Sequence, residues 1–123
     1  MASVRVNLII EQGVTWSQSF TWKVGDPPAI VDLTGFTARM QIRPSRCSST
    51  IVADIGTANG GIVIDPLAGR FDVSMSSDVT GAIDGGLYVY DLEATSGGGE
   101  VSRVLGGAVS FSEEVTREDD SNG

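Results

Sequence analysis

An all-β sandwich of seven to nine short antiparallel strands is the fold predicted for this 123-residue chain, and three observations predict it. Segments with a period of two recur at regular spacing along the chain, separated by glycine-rich turns. No segment carries the 3.6-residue period of an amphipathic helix. The stretch Asp84-Gly85-Gly86-Leu87-Tyr88-Val89-Tyr90-Asp91-Leu92 places a tyrosine just after a glycine turn and at the start of a strand. There its hydroxyl can reach back to upstream backbone, because a phenol ring is apolar enough to bury while its oxygen must find a partner.

The first element is predicted at Val4, Val6, Leu8 and Ile10, which alternate with Arg5, Asn7 and Ile9 and end at Glu11-Gln12-Gly13. Val14, Trp16, Phe20 and Trp22 alternate with small polar residues, the strongest strand pattern in the chain. Gln18 interrupts its apolar face. A buried amide without a partner costs about 1–3 kcal/mol, so a bulge or a sheet edge is expected there. Gly25-Asp26-Pro27-Pro28 forms a turn, a short strand follows over 29–33, and Thr34-Gly35 turns the chain into a strand over 36–43. In that strand Phe36, Ala38, Met40 and Ile42 share one face, and Thr37, Arg39, Gln41 and Arg43 the other.

Further strands are expected at 51–55, 62–64 and 70–75, the last two joined by a hairpin loop over 65–69. Residues 76–83 lack a period and are expected to cross between sheets, with one helical turn capped by Ser77 or Asp78. Tyr88, Tyr90, Leu92 and Ala94 form the inner face of the next strand, with Asp91 and Glu93 outside. After a tip at Ser96-Gly97-Gly98-Gly99 the last strand runs from about Glu100 to Phe111. Gly106-Gly107 in its middle predicts either a bulge or a close backbone approach.

The spacing Asp84-x-Gly86-x-Tyr88-x-Tyr90 matches the tyrosine corner of immunoglobulin-like sandwiches, with Tyr90 where antibody domains hold the second cysteine. Asp84, Gly86 and Tyr88 are therefore assigned a structural role. Residues 1–112 are expected to form this Ig-like domain and residues 113–123 an acidic, mobile tail.

Composition narrows the function classes. The chain contains no His, one Cys (Cys47) and one Lys (Lys23), so most nucleophilic and zinc mechanisms lack their parts. Asp91 and Glu93 on an outward strand face read as solvated carboxylates. No catalytic, cofactor or metal residues are assigned, and a non-enzymatic protein is expected. A net charge of −8 repels nucleic acid. No run reaches the ~18 uninterrupted apolar residues of a membrane span, and the first residues lack the apolar core of a secretory signal. Synthesis in the cytoplasm, with no nucleic-acid or membrane partner, follows as the expectation.

Charge is unevenly placed. Glu113, Glu114, Glu118, Asp119 and Asp120 against Arg117 give the last eleven residues −4. Such a terminus is either a solubilising end or a segment that orders on a basic partner. Arg39, Arg43 and Arg46 cluster on one strand face and the loop after it. They either pair with surface acids or meet an acidic partner, for which the tail of a neighbouring copy is one candidate. Trp16 and Trp22 read as core residues, the alternative being a sugar-binding platform.

The runs Ile9-Ile10-Glu11-Gln12-Gly13, Val31-Asp32-Leu33-Thr34-Gly35-Phe36-Thr37-Ala38-Arg39-Met40-Gln41-Ile42-Arg43, the strand over 86–92 and a closing Glu114-Val115-Thr116-Arg117 resemble small Ig-like virion structural proteins of tailed bacteriophages. They are similar to the N-terminal domains of phage baseplate upper proteins. The resemblance implies a virion component without catalytic residues, in contact with other virion proteins and copies of itself, at the tail, baseplate or a neck or fibre adaptor. Capsid decoration is the alternative site. A carbohydrate-binding module that adheres to cell-surface glycan is the alternative of a different class. Gln18 stands where such proteins carry an aliphatic residue.

Overall fold

The computed structural model describes residues 4–113. The strands are β1 (Val4–Arg5), β2 (Leu8–Glu11), β3 (Trp16–Thr21), β4 (Lys23–Val24), β5 (Ala29–Ile30), β6 (Thr37–Arg43), β7 (Ala53–Gly56), β8 (Ile62–Asp65), β9 (Arg70–Met75), β10 (Gly86–Thr95) and β11 (Val101–Ser112). A single short helix, α1 (Ser77–Gly81), is the only one among the described residues. Eleven strands among the described residues exceed the seven to nine expected, because β1, β4 and β5 are two-residue pieces. The predicted first strand breaks at Val6-Asn7, and the predicted strand over 29–33 pairs only through Ala29 and Ile30, with β4.

The larger sheet has the order β1-β11-β10-β6-β7 with β2 also beside β11, and the smaller has β3-β9-β8. The two share one core. Met40, Ile42, Leu92 and Val109 from the larger sheet and Phe71 and Val73 from the smaller are all buried in it. Each such large side chain contributes about 1.5–3 kcal/mol over its exposed state. The purely antiparallel expectation is corrected at the N-terminus. β1 and β2 run parallel to β11, with Val4 opposite Leu105 and Leu8 opposite Val109, so the larger sheet is mixed.

The break between β1 and β2 has a local cause. Val6 N–H donates to Gly106 O at 3.0 Å, as a parallel ladder requires. The Val6 carbonyl, which a regular ladder would pair with Ala108 N–H, instead accepts from the Tyr90 hydroxyl at 2.6 Å. Ala108 N–H is satisfied by Asn7 Oδ1 at 3.1 Å. The oxygen of a buried tyrosine and the Ala108 amide are thus both partnered, at the loss of one ladder bond. Gly107 makes this approach possible: a Cβ there would stand 2.5 Å from Val6 O. Of the two alternatives for Gly106-Gly107, close backbone approach is the one realised. The bulge lies three residues earlier, where the register shifts between Leu92 and Glu93, and Val104 and Leu105 both turn inward.

Gln18 is exposed on β3, an edge strand of the smaller sheet, and stays in register opposite Val73. The edge explains it, and no bulge is needed. The crossing from β9 to β10 carries α1, whose cap is Ser76, one residue before the expected position. Its hydroxyl accepts from Val79 N–H. Thr80, fully buried, donates to the carbonyls of Val14 at 2.9 Å and Ser77 at 3.3 Å. Gln12 Nε2 donates to Ile83 O at 2.9 Å. The crossover is thereby tied to the loop between β2 and β3.

Tyr88 reaches back across the turn that precedes β10. Tyr88 Oη donates to Asp84 O at 2.7 Å, its ring meets Phe111 edge-on at 5.5 Å, and Gly86 takes φ +149°. The Asp32-to-Gly35 turn is set by Asp32 Oδ1, which accepts from Thr34 N–H at 2.9 Å and Thr34 Oγ1 at 2.6 Å. These bonds, the hydroxyl's first, hold the Asp32 carboxyl below the usual carboxylate range. Gly35 follows at φ +81°, a conformation glycine adopts without a Cβ clash, and β6 starts in register.

Candidate functional site

The outward face of the larger sheet carries four of the charged side chains that the sequence singled out, Arg39, Arg43, Asp91 and Glu93. In β10 the buried residues Tyr90, Leu92 and Ala94 point inward, so Val89, Asp91 and Glu93 point out. Cross-strand partners share a face. Val89 stands opposite Arg43, Asp91 opposite Gln41 and Glu93 opposite Arg39 on β6. On the other side Asp91 faces Gly106 and Glu93 faces Arg103 on β11. Arg5 of β1 then lies opposite Gly106.

The three predicted arginines have different environments. Arg39 forms a two-point pair with Asp54 of β7, Nε to Oδ1 at 3.0 Å and Nη2 to Oδ2 at 2.6 Å. The hydrogen bond from Arg39 holds the Asp54 carboxyl below its usual range, and Asp54 in turn raises the guanidinium. Both side chains are well exposed, so solvent screens the pair and it adds little to stability. Arg43 donates from Nη1 to Ser48 O at 2.7 Å and from Nη2 to Gln41 Oε1 at 2.9 Å. These bonds fix the loop after β6. Arg46 is exposed in that loop beside the exposed Cys47, and pairs with no acid among the described residues.

Arg43 and Arg46 line a groove of about 600 Å³ together with Arg5, Arg103, Asp91 and Glu93. Gly106 and Gly107 also line it. Within it Arg103 Nε approaches Asp91 Oδ2 at 3.6 Å, a loose contact. Four guanidinium groups against two carboxylates make a net cationic trough in a chain of net charge −8. Such a trough can hold carboxylates of an extended acidic segment through charge-assisted hydrogen bonds.

Arg5 and Arg103 were not foreseen as part of it. They are far apart in sequence, and only the parallel pairing of β1 with β11 brings them to one place. The regular alternation of Arg5 with Val4 and Val6 was the one available signal. Arg39 is drawn to Asp54 and does not line the groove. Glu113 is the last described residue, exposed just past β11, with its side chain against Gly85. Glu114, Glu118, Asp119 and Asp120 lie outside the described residues. So does the mobile character expected of the tail.

Of the two tryptophans, Trp22 is buried and meets Phe36 edge-on at 6.3 Å, while Trp16 is half-buried against the same core. Trp22 therefore offers no ring face to a sugar. No protein-family model matches this chain, and no curated protein matches it.

Proposed function

We propose that the chain is a non-enzymatic structural component of a tailed-phage virion, an Ig-like domain that docks on a symmetric assembly at the tail, baseplate or a neck or fibre adaptor. It is made in the host cytoplasm and taken into the particle beside other virion proteins and copies of itself. The observation that carries the reading is the strand order. β1 and β2 beside β11, then β10, β6 and β7, opposed by β3-β9-β8, support the Ig-like reading of the sandwich. Tyr88 bonded to Asp84 O supports the tyrosine corner within it. The sequence runs that resemble phage virion proteins lie on this frame at β2, at the turn into β6 and on β10.

The outward face of the larger sheet supplies the docking surface. It combines a cationic trough with exposed apolar side chains, and charge complementarity there sets which partner is accepted more than how tightly it binds. Mass spectrometry of purified particles tests the proposal. The chain is expected among the structural proteins of mature virions, and its absence from them would refute the reading. Its copy number then separates a tail or neck ring of a few copies from capsid decoration at hundreds.

A further inference from the structure

A sheet edge is a row of backbone N–H and C=O groups that another extended chain can pair with, and natural folds guard such edges with charge, proline, irregularity, shortness or a covering group. The two packed sheets have four edges, and three of them are guarded. β1 and β2 are interrupted at Val6-Asn7 and carry Arg5 and Glu11. At β7 the Thr57 N–H donates to Ala38 O at 3.1 Å, which continues the β6 register and turns the N–H and C=O of Asp54 and Gly56 outward. Asn59 takes both of them: its Oδ1 accepts from Gly56 N–H at 3.0 Å and its Nδ2 donates to Asp54 O at 3.1 Å. β8 has four residues, and because Ser74 N–H donates to Gly61 O at 2.9 Å, only Ile62 and Ile64 turn their backbone groups away from β9.

The fourth edge, β3, has none of these devices. Its residues Trp16-Ser17-Gln18-Ser19-Phe20-Thr21 include no charge, proline or glycine, and they pair with β9 without a break in register. Trp22 N–H donates to Gly69 O at 2.8 Å and extends that register, so Trp16, Gln18 and Phe20 turn their backbone groups to β9 while Ser17, Ser19 and Thr21 turn theirs away. No strand among the described residues pairs with that side. Ser17, Ser19 and Thr21 are all exposed, and Ser19 Oγ is drawn toward β9 by its bond to Asp72 Oδ1 at 2.6 Å.

We propose that β3 is a self-association strand, through which two copies of the chain join edge to edge, antiparallel about a twofold axis at Ser19, to make one continuous sheet from β8 of one copy to β8 of the other. The proposal goes beyond the virion reading and does not rest on it. The occupant is a second copy because β3 is the longest open edge among the described residues and is complementary to itself. With the axis at Ser19, Ser17 meets Thr21 of the second copy and Ser19 meets its own counterpart, so all the outward groups pair in about six backbone hydrogen bonds. Short hydroxyl side chains then face one another across the join, a favourable cross-strand pairing. Charge permits it despite the net −8 of each copy. Asp72, opposite Ser19 on β9, would stand three strand spacings from its counterpart, about 14 Å and beyond the ~8 Å Debye length at physiological salt. An acidic or basic partner, by contrast, finds no counter-charge on this strand. The twofold pairing uses up both edges and closes at two copies.

Sedimentation of the full chain over a micromolar to millimolar concentration series tests the proposal. A monomer–dimer equilibrium is expected, and it should be no weaker in molar salt, because the join is neutral while the copies repel one another. Ser19→Pro takes away only an N–H that faces away from β9, a position where an edge strand tolerates proline, and it removes one bond on each side of the axis. The dissociation constant should rise at least about tenfold, while the circular dichroism of the dilute monomer stays as in the wild type. Ser19→Lys leaves the backbone groups in place and sets two like charges opposite one another; it should weaken the dimer as well, and it decides the matter if the proline variant does not fold. A chain that stays monomeric throughout, or a dimer that Ser19→Lys leaves unchanged, overturns the proposal. So does a dimer that dissolves in molar salt, as one held through the arginine trough would, or growth past two copies, as pairing of β3 with β8 would give.

Discussion

Replacing Tyr90 by Phe removes one oxygen and isolates the contribution of the hydroxyl that interrupts the β1–β2 pairing. The ring stays, so packing against Ile42 and Leu92 is unchanged in volume, and only the 2.6 Å bond to the Val6 carbonyl is lost. Tyr90 is 5% exposed while Val6 is partly exposed. Water can therefore reach the freed carbonyl in part, and the loss lies nearer the net value of a hydrogen bond than the full cost of a buried orphan. About 1–2 kcal/mol is expected, which lowers Tm by about 5 °C in a domain of this size. The pH dependence adds an independent check. Burial pushes the Tyr90 phenol from its ordinary value of 10.0 up to about 12. A folded value above the unfolded one means that the stabilisation is complete below about pH 10 and is lost as pH rises through about 12. Urea unfolding at pH 8 and then at steps up to pH 12 should show the gap between wild type and Tyr90→Phe narrowing over that window. Equal stability at pH 8, or a gap that stays constant to pH 12, would refute the assignment.

Gly107→Ala puts a methyl 2.5 Å from Val6 O and should cost about 1–3 kcal/mol. Hydrogen exchange should then accelerate at β1 and β2 more than at β8 and β9. Thr80→Val keeps the shape of a fully buried side chain but strips its bonds to Val14 and Ser77; a loss of about 1–2 kcal/mol is expected in thermal melts. Asp54→Asn should lower stability at neutral pH only a little, since the pair with Arg39 is exposed. Because the Asp54 carboxyl is held below its usual value, that contribution is present above about pH 4 and fades as pH falls through the lower folded value. Acid titrations of the two proteins by circular dichroism should converge at low pH.

Alternation made most of the strands legible, because a half-buried strand must place apolar residues at every second position. The faces of β6 and β10 follow from this alone. Turn chemistry located the turns at Gly69 and Gly35, where local backbone demands particular residues. Pairing partners were less accessible. Nothing in Val4 to Ile10 distinguishes an antiparallel neighbour from a parallel one, so the mixed sheet and the Arg5 to Gly106 juxtaposition were not readable. The register shift at Val104 left no trace either, since two adjacent apolar residues fit a regular strand as well as a bulge. At the site, Arg43 and Arg46 were found because they are close in sequence. Arg103 belongs to the same groove through sheet order alone.

The parallel clasp of β1 and β2 onto β11 joins residues about a hundred positions apart, Val4 with Leu105 and Leu8 with Val109. Closing so long a loop delays folding until its rewarding contacts exist. During synthesis the first strands emerge long before their partner is made, so Ile9, Leu8 and Ile10 wait without a sheet to join. β3, β8 and β9 can assemble earlier, from chain already outside the ribosome. Completion of the larger sheet therefore waits until β11 has been made, and a ribosome stalled before β11 leaves an apolar N-terminal segment open to other chains.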